Sequence, residues 1–153
     1  MPCCTCTVPR KAAGEAPVTL TPVATGPAIV VCSTCRAAPN QRVDTQGSTG
    51  GARLVAVLRA VQQADPHYAG IAVQDMPCLF ACSRHCVVYI RAPGRIGYVL
   101  GDFTPDEAAA RAILDYAVHH AASSEGIVDY ADWPEGVKGH FLVRTPPEGF
   151  VAS

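Results

Sequence analysis

The sequence predicts an α/β domain on a mixed sheet, and three observations carry that prediction. Two short apolar runs, Ala28-Ile29-Val30-Val31 and Ile71-Ala72-Val73, have the length of buried strands. Between them Leu54, Val55, Leu58 and Val61 recur at helical spacing, which marks a helix from about Gly51 to Gln63. Farther on, Val87-Val88-Tyr89-Ile90 and Ile96-Gly97-Tyr98-Val99-Leu100 flank Ala92-Pro93-Gly94-Arg95, the pattern of a β-hairpin.

The elements follow in order. Residues 1–27 are rich in Pro, Thr, Ala and Cys without a sustained period, and read as a flexible leader closing at Gly26-Pro27. A domain over 28–126 follows, and 127–153 form a tail packed on it, with Trp133 and a last strand at Phe141-Leu142-Val143. Asp65-Pro66 stops the first helix. Thr104-Pro105-Asp106-Glu107 predicts the second: Thr at the N-cap, Pro at the first position, Glu three residues on. Its apolar stripe is Ala110, Ile113, Leu114, Ala117 and Ala121, and it ends near Gly126. The order is β-α-β-β-β-α with a tail, on a sheet of about four strands. The strand–helix–strand unit should be parallel, and the hairpin adds antiparallel strands. That order is the thioredoxin-like arrangement.

Composition narrows the function. With 153 residues, 49% of them hydrophobic, the chain has the size of one domain and enough apolar side chains for a core without disulfides. A net charge of −1 gives no pull toward nucleic acid or an anionic membrane. No stretch has the length of apolar sequence a spanning helix needs, and Met1-Pro2-Cys3-Cys4-Thr5-Cys6 lacks a secretory hydrophobic region. The expected compartment is the cytoplasm. There, the eight cysteines point to metal binding or redox chemistry rather than disulfides.

Cys32 and Cys35 follow the first strand, and Cys78 and Cys82 follow the second. Parallel strands of one crossover unit bring their carboxyl ends to the same sheet edge, where open α/β folds place ligands. Four thiolates at one place suit a 2Fe–2S cluster. Cys86, four residues beyond Cys82, enters the next strand and reads as a nearby thiol and a substitute ligand.

The stretch from Cys78-Leu79-Phe80-Ala81-Cys82 through Cys86-Val87-Val88-Tyr89-Ile90 to Tyr98 resembles the second ligand segment of thioredoxin-like 2Fe–2S ferredoxins. In that family a C-x-x-x-C pair precedes a Gly-Pro, an apolar strand and a short hairpin with a Tyr. Cys86 stands where the family has the proline, which implies Cys78 and Cys82 as the ligand pair. The first pair departs from those ferredoxins, whose spacing is four or more residues. Val31-Cys32-Ser33-Thr34-Cys35-Arg36 resembles instead a group of predicted metal-binding proteins related to them, over about residues 28–146 with Trp133-Pro134 and Arg144-Thr145-Pro146-Pro147. That resemblance implies the fold and a metal, and lends no activity.

The reading that results is a small 2Fe–2S protein that transfers one electron to a redox partner, with no catalytic residues of its own. Zinc on the same four thiolates is the main alternative, although structural zinc more often supports domains that lack a core. Thiol–disulfide exchange at Cys32-x-x-Cys35 is the second alternative. Against it, the helix starts more than a dozen residues later, beyond reach of its dipole in sequence. Cys3, Cys4 and Cys6 read as an unstructured tail, with metal carriage as a further option. Gln46-Gly47-Ser48-Thr49-Gly50-Gly51 lacks the Gly-Lys-Ser/Thr ending of a phosphate loop and reads as a loop whose N–H groups face the cluster sulfurs. His85 reads as an exposed neighbour of the site, and His119-His120 as solvated helix surface.

Charge is uneven. From Cys32 to Arg95 seven Arg stand against three Asp, a surplus of four positive charges. From Asp102 to Glu135 eight acidic residues stand against Arg111, a surplus of seven negative ones. A basic rim at the cysteines would attract a redox partner with an acidic surface. A homodimer is left open.

Overall fold

A computed structural model describes residues 19–153. Cys3, Cys4, Cys6 and most of the expected leader therefore lie outside the described residues. Strand β1 (Ala28–Cys32) is followed by helix α1 (Gly50–Ala64), β2 (Ala72–Met76), β3 (Val88–Arg91), β4 (Gly97–Leu100), helix α2 (Glu107–Ala122) and β5 (Phe141–Thr145). The strands form one sheet in the order β2-β1-β3-β4-β5. Only the β1–β2 pair is parallel; β3, β4 and β5 join antiparallel. This is the thioredoxin-like α/β arrangement the pattern predicts, extended by a fifth strand. The tail is thus partly a sheet element. Phe141 enters it because Trp133 stacks on its ring at 4.3 Å, while the Trp133 indole N–H donates to the Val128 carbonyl at 2.9 Å.

Alternation along the strands separates two apolar groups. Ile29, Val31, Val88, Ile90 and Leu100 share the larger one with Leu54 and Leu58 of α1 and Ile113 and Leu114 of α2. Each such fully buried side chain contributes about 1.5–3 kcal/mol. The smaller group holds Cys32, Cys35 and Val87, with Leu79, Ala81 and Val99 packed on it. One strand, β1, therefore gives alternate residues to the core and to the cysteine site.

Two local expectations are corrected. Helix α2 is capped by Asp106, whose carboxylate accepts from the Ala109 N–H at 2.8 Å. The helix starts at Glu107 rather than Pro105, because a carboxylate two residues nearer outcompetes the Thr104 hydroxyl. His120 is 1% exposed, not solvated. Its Nε2 lies 2.6 Å from the Ile96 carbonyl, and burial pushes its pKa down. His119, its neighbour, is exposed as expected.

Candidate metal centre

The parallel pairing of β1 with β2 sets Cys32 beside Met76 at the strand ends. The two loops that follow are stitched together. Ser33 donates its N–H to the Met76 carbonyl at 2.9 Å and its hydroxyl to the same oxygen at 3.2 Å. The Thr34 hydroxyl donates to the Pro77 carbonyl. Cys32-Ser33-Thr34-Cys35 closes as a turn, with the Cys35 N–H on the Cys32 carbonyl at 3.3 Å.

Helix α1 begins against this turn. The Gly51 N–H donates to the Cys35 carbonyl at 3.2 Å, and the Thr49 hydroxyl to the Ser33 carbonyl at 2.7 Å. A Cβ on Gly51 would lie 1.9 Å from the Cys32 carbonyl oxygen, and one on Gly50 would lie 2.2 Å from that of Arg36. Only glycine permits so close an approach. The sequence separation of Cys35 from α1 therefore does not remove the helix N-terminus from the cysteines, because the chain from Arg36 to Thr49 loops out and returns.

The four expected ligands and Cys86 are all free thiols in one neighbourhood. Cys32 and Cys35 are buried, Cys78 is half-buried and Cys82 is exposed. Cys78 Sγ and Cys82 Sγ stand 3.7 Å apart. The neighbouring Cys35 thiol, with the N–H groups of Leu79 and Thr34, outweighs burial and lowers Cys32 to about 5. The Cys32 thiol, reinforced by burial, raises Cys35. Burial raises Cys78, although the Phe80 N–H reaches its sulfur at 3.3 Å. Cys86 is fully buried and is pushed up to about 12, chiefly by desolvation.

Among the described residues, the N–H that donates to a cysteine sulfur is that of Phe80, on Cys78 Sγ at 3.3 Å, and not one of the glycine-rich loop. In that loop the Gln46 and Ser48 N–H groups are taken by Asp44 Oδ1 at 2.8 and 3.0 Å, an Asx turn that satisfies them locally. Gly50 and Gly51 serve packing instead, and Gly47 takes the turn's left-handed position at φ +81°.

Two thiolates on one tetrahedral ion, at metal–sulfur distances of about 2.3 Å, stand about 3.8 Å apart. The Cys78–Cys82 separation of 3.7 Å fits that edge. Among the described residues no group of three or more His, Cys, Asp or Glu is arranged to hold a single ion. Four thiols are the donor set that a two-iron, two-sulfide cluster takes, and Cys78 and Cys82 carry the spacing of two of them on one metal.

His85 is less exposed than expected, and it faces Asp102, which the sequence reading passed over. Its Nδ1 lies 3.3 Å from Asp102 Oδ1, and Arg84 pairs with Oδ2 at 2.9 Å. Asp102 has a φ of +66°, and Phe80 and Cys86 are also left-handed at +60° and +46°. The available signal was an Asp directly after a Gly at a strand end, a pair that tolerates such backbone.

The basic segment is also less basic than its composition. Arg53, Arg59 and Arg84 pair with Asp44, Asp75 and Asp102. Among the described residues, Arg36 and Arg42 of the returning loop are exposed and form no ion pair. No helix among the described residues is long and apolar enough to cross a membrane.

The chain belongs to the family described as "Protein of unknown function (DUF1636)", which matches it over residues 29–147. No curated protein matches the chain in sequence. A solved structure, a thioredoxin-like [2Fe–2S] ferredoxin from Aquifex aeolicus, is similar over 84% of this chain and 100% of that one. Identity between them is 18% and the TM-score is 0.47.

Proposed function

We propose that this protein carries one electron at a time on a 2Fe–2S cluster held by Cys32, Cys35, Cys78 and Cys82. The observation that carries the reading is the meeting of two thiol pairs at adjacent strand ends, one with its sulfurs 3.7 Å apart. When bound, the cluster supplies a one-electron couple. The chain's own residues hold it and set its surroundings. The Phe80 N–H donates to Cys78 Sγ at 3.3 Å and favours the thiolate. Leu79 and Ala81 pack over Cys32 and Cys35 and keep water from that side. The exposed Arg36, next to Cys35, supports a partner with an acidic surface. Five free thiols among the described residues suit a reducing compartment such as the cytoplasm.

Anaerobic purification tests this directly, with iron and zinc analysis, a visible spectrum and EPR of the reduced protein. Stoichiometric iron with a reduced-state EPR signal supports the reading. Colourless protein with one zinc per chain replaces it with a zinc site on the same thiolates. A second reading, dithiol exchange at Cys32 and Cys35, is favoured by the first turn of α1 lying against that pair. Metal-free protein that reduces insulin disulfides, with loss of that activity in Cys32→Ser, would favour it.

A further inference from the structure

The segment joining the exposed ligand loop to β3 carries two residues that converge on one carboxylate. We propose that Asp102 is the positioning residue of the cysteine loop, fixing residues 84–86 and through them Cys82 and Cys86. This deepens the cluster reading, and its geometry is independent of whether the metal is iron.

Asp102 clamps His85 by both halves of its backbone. The Asp102 N–H donates to the His85 carbonyl at 2.7 Å, and the His85 N–H points at Asp102 Oδ1 at 3.4 Å. The same oxygen faces the His85 imidazole at 3.3 Å, and Oδ2 accepts from Arg84 at 2.9 Å. Two consecutive residues of the loop thus converge on one carboxylate.

The hairpin explains why the clamp sits there. The β3–β4 register pairs Val88 with Leu100, and its continuation would set Cys86 opposite Asp102. Instead the Asp102 N–H reaches His85, and both Cys86 and Asp102 are left-handed. The ladder is broken at this pair, so the chain leaves the sheet there and turns Cys86 into the core. A left-handed non-glycine residue costs of order 1–3 kcal/mol and persists only when its surroundings hold it. Asp102 is itself held from behind. The Gly101 N–H donates to the His140 carbonyl at 2.9 Å, His140 Nδ1 lies 2.8 Å from the Gly101 carbonyl, and His140 stacks on Phe103 at 4.2 Å.

The sulfur of Cys86 reaches the Arg36 carbonyl at 3.6 Å, and Arg36 bridges His85. Residue 85 is therefore caught between the loop carrying Arg36 and Asp102, two residues past the end of β4. Loss of the Asp102 carboxylate releases one side of that grip and frees the chain between Cys82 and Cys86 to open.

The test is residue-resolved labelling of the full, reduced, metal-free chain by N-ethylmaleimide, with peptide masses identifying each cysteine. Asp102→Gly keeps the left-handed backbone at no cost and deletes every carboxylate contact. It should raise the labelling rate of Cys86 about tenfold, leaving Cys32 and Cys35 unchanged. Asp102→Asn keeps an accepting oxygen and a residue that tolerates this backbone, and should return Cys86 to within about threefold of the parent rate. Unchanged Cys86 labelling in folded Asp102→Gly overturns the proposal, as does an equal increase at all five thiols. A parent chain that takes up no iron, combined with Cys86 opening in Asp102→Gly, overturns the cluster reading and sustains the clamp. Iron uptake with no change in labelling does the reverse.

Discussion

The two cysteine pairs meet at one sheet edge but are built in opposite ways. Cys32 and Cys35 are 3% and 7% exposed, close a turn and lie under the first turn of α1. Cys78 and Cys82 lie on a loop with Phe80 at its tip, 77% exposed and left-handed. The first pair is set by the core, because β1 that carries it is buried along its whole length. The second is set by polar contacts at a loop's far end, through Asp102. A metal reaching this site would find one pair of ligands waiting and would order the other. Rigidity and access are divided between the pairs.

The largest expected effect is on the buried pair. Gly51→Ala would add about 1 kcal/mol to an ordinary helix. Here the new methyl collides with the Cys32 carbonyl, so we expect a loss of about 3 kcal/mol or more, read from the urea midpoint. Undiminished stability would mean that α1 does not press on the cysteine turn. Next, Cys82 of the reduced, metal-free protein should react with N-ethylmaleimide at least about a hundredfold faster than Cys32 or Cys35, which need local opening. Equal rates would erase the contrast. Third, Cys32→Ser should cost the metal-free protein about 1–2 kcal/mol, for a hydroxyl placed in an apolar cluster, whereas Cys82→Ser should stay within about 0.5 kcal/mol. Both should abolish iron uptake. The smallest effect concerns neither pair. Burial holds His120 neutral in the folded chain, so its pKa is depressed relative to the unfolded chain. The unfolded state then binds the extra proton, and stability is complete above about pH 6.5 and falls below it. Thermal melts over that range check the direction, and His120→Gln, which keeps a donor for Ile96, should flatten the slope.

The contrast also explains what was legible in the sequence. The buried pair announced itself: an apolar run, a helical period and a cysteine at the strand end are short-range signals of a parallel unit. The strands, both helices and all four proposed ligands follow from such signals. What escaped was set by tertiary return. Nothing local says that the chain after Arg36 loops back to put Gly50 and Gly51 on the Cys32–Cys35 turn. His120 reads as surface because the chain that buries it, around Ile96, is 24 residues away in sequence. The cap at Asp106 lay within the predicted start but went to the nearer carboxylate. Asp102 was invisible because its meaning depends on a hairpin register that breaks at Cys86. Cys3, Cys4 and Cys6 fall outside the described residues.

The anchoring of Asp102 also imposes an order of events on synthesis. Every cysteine of the site has been made by residue 86, yet the residue gripping the loop is 102, and its own support comes from His140. A chain emerging amino end first exposes five thiols before the contacts that set the second pair exist. The site is thus completed late, only after residue 140 has emerged. Metal delivered to the nascent chain would meet the Cys32–Cys35 turn alone, without the opposing loop in place.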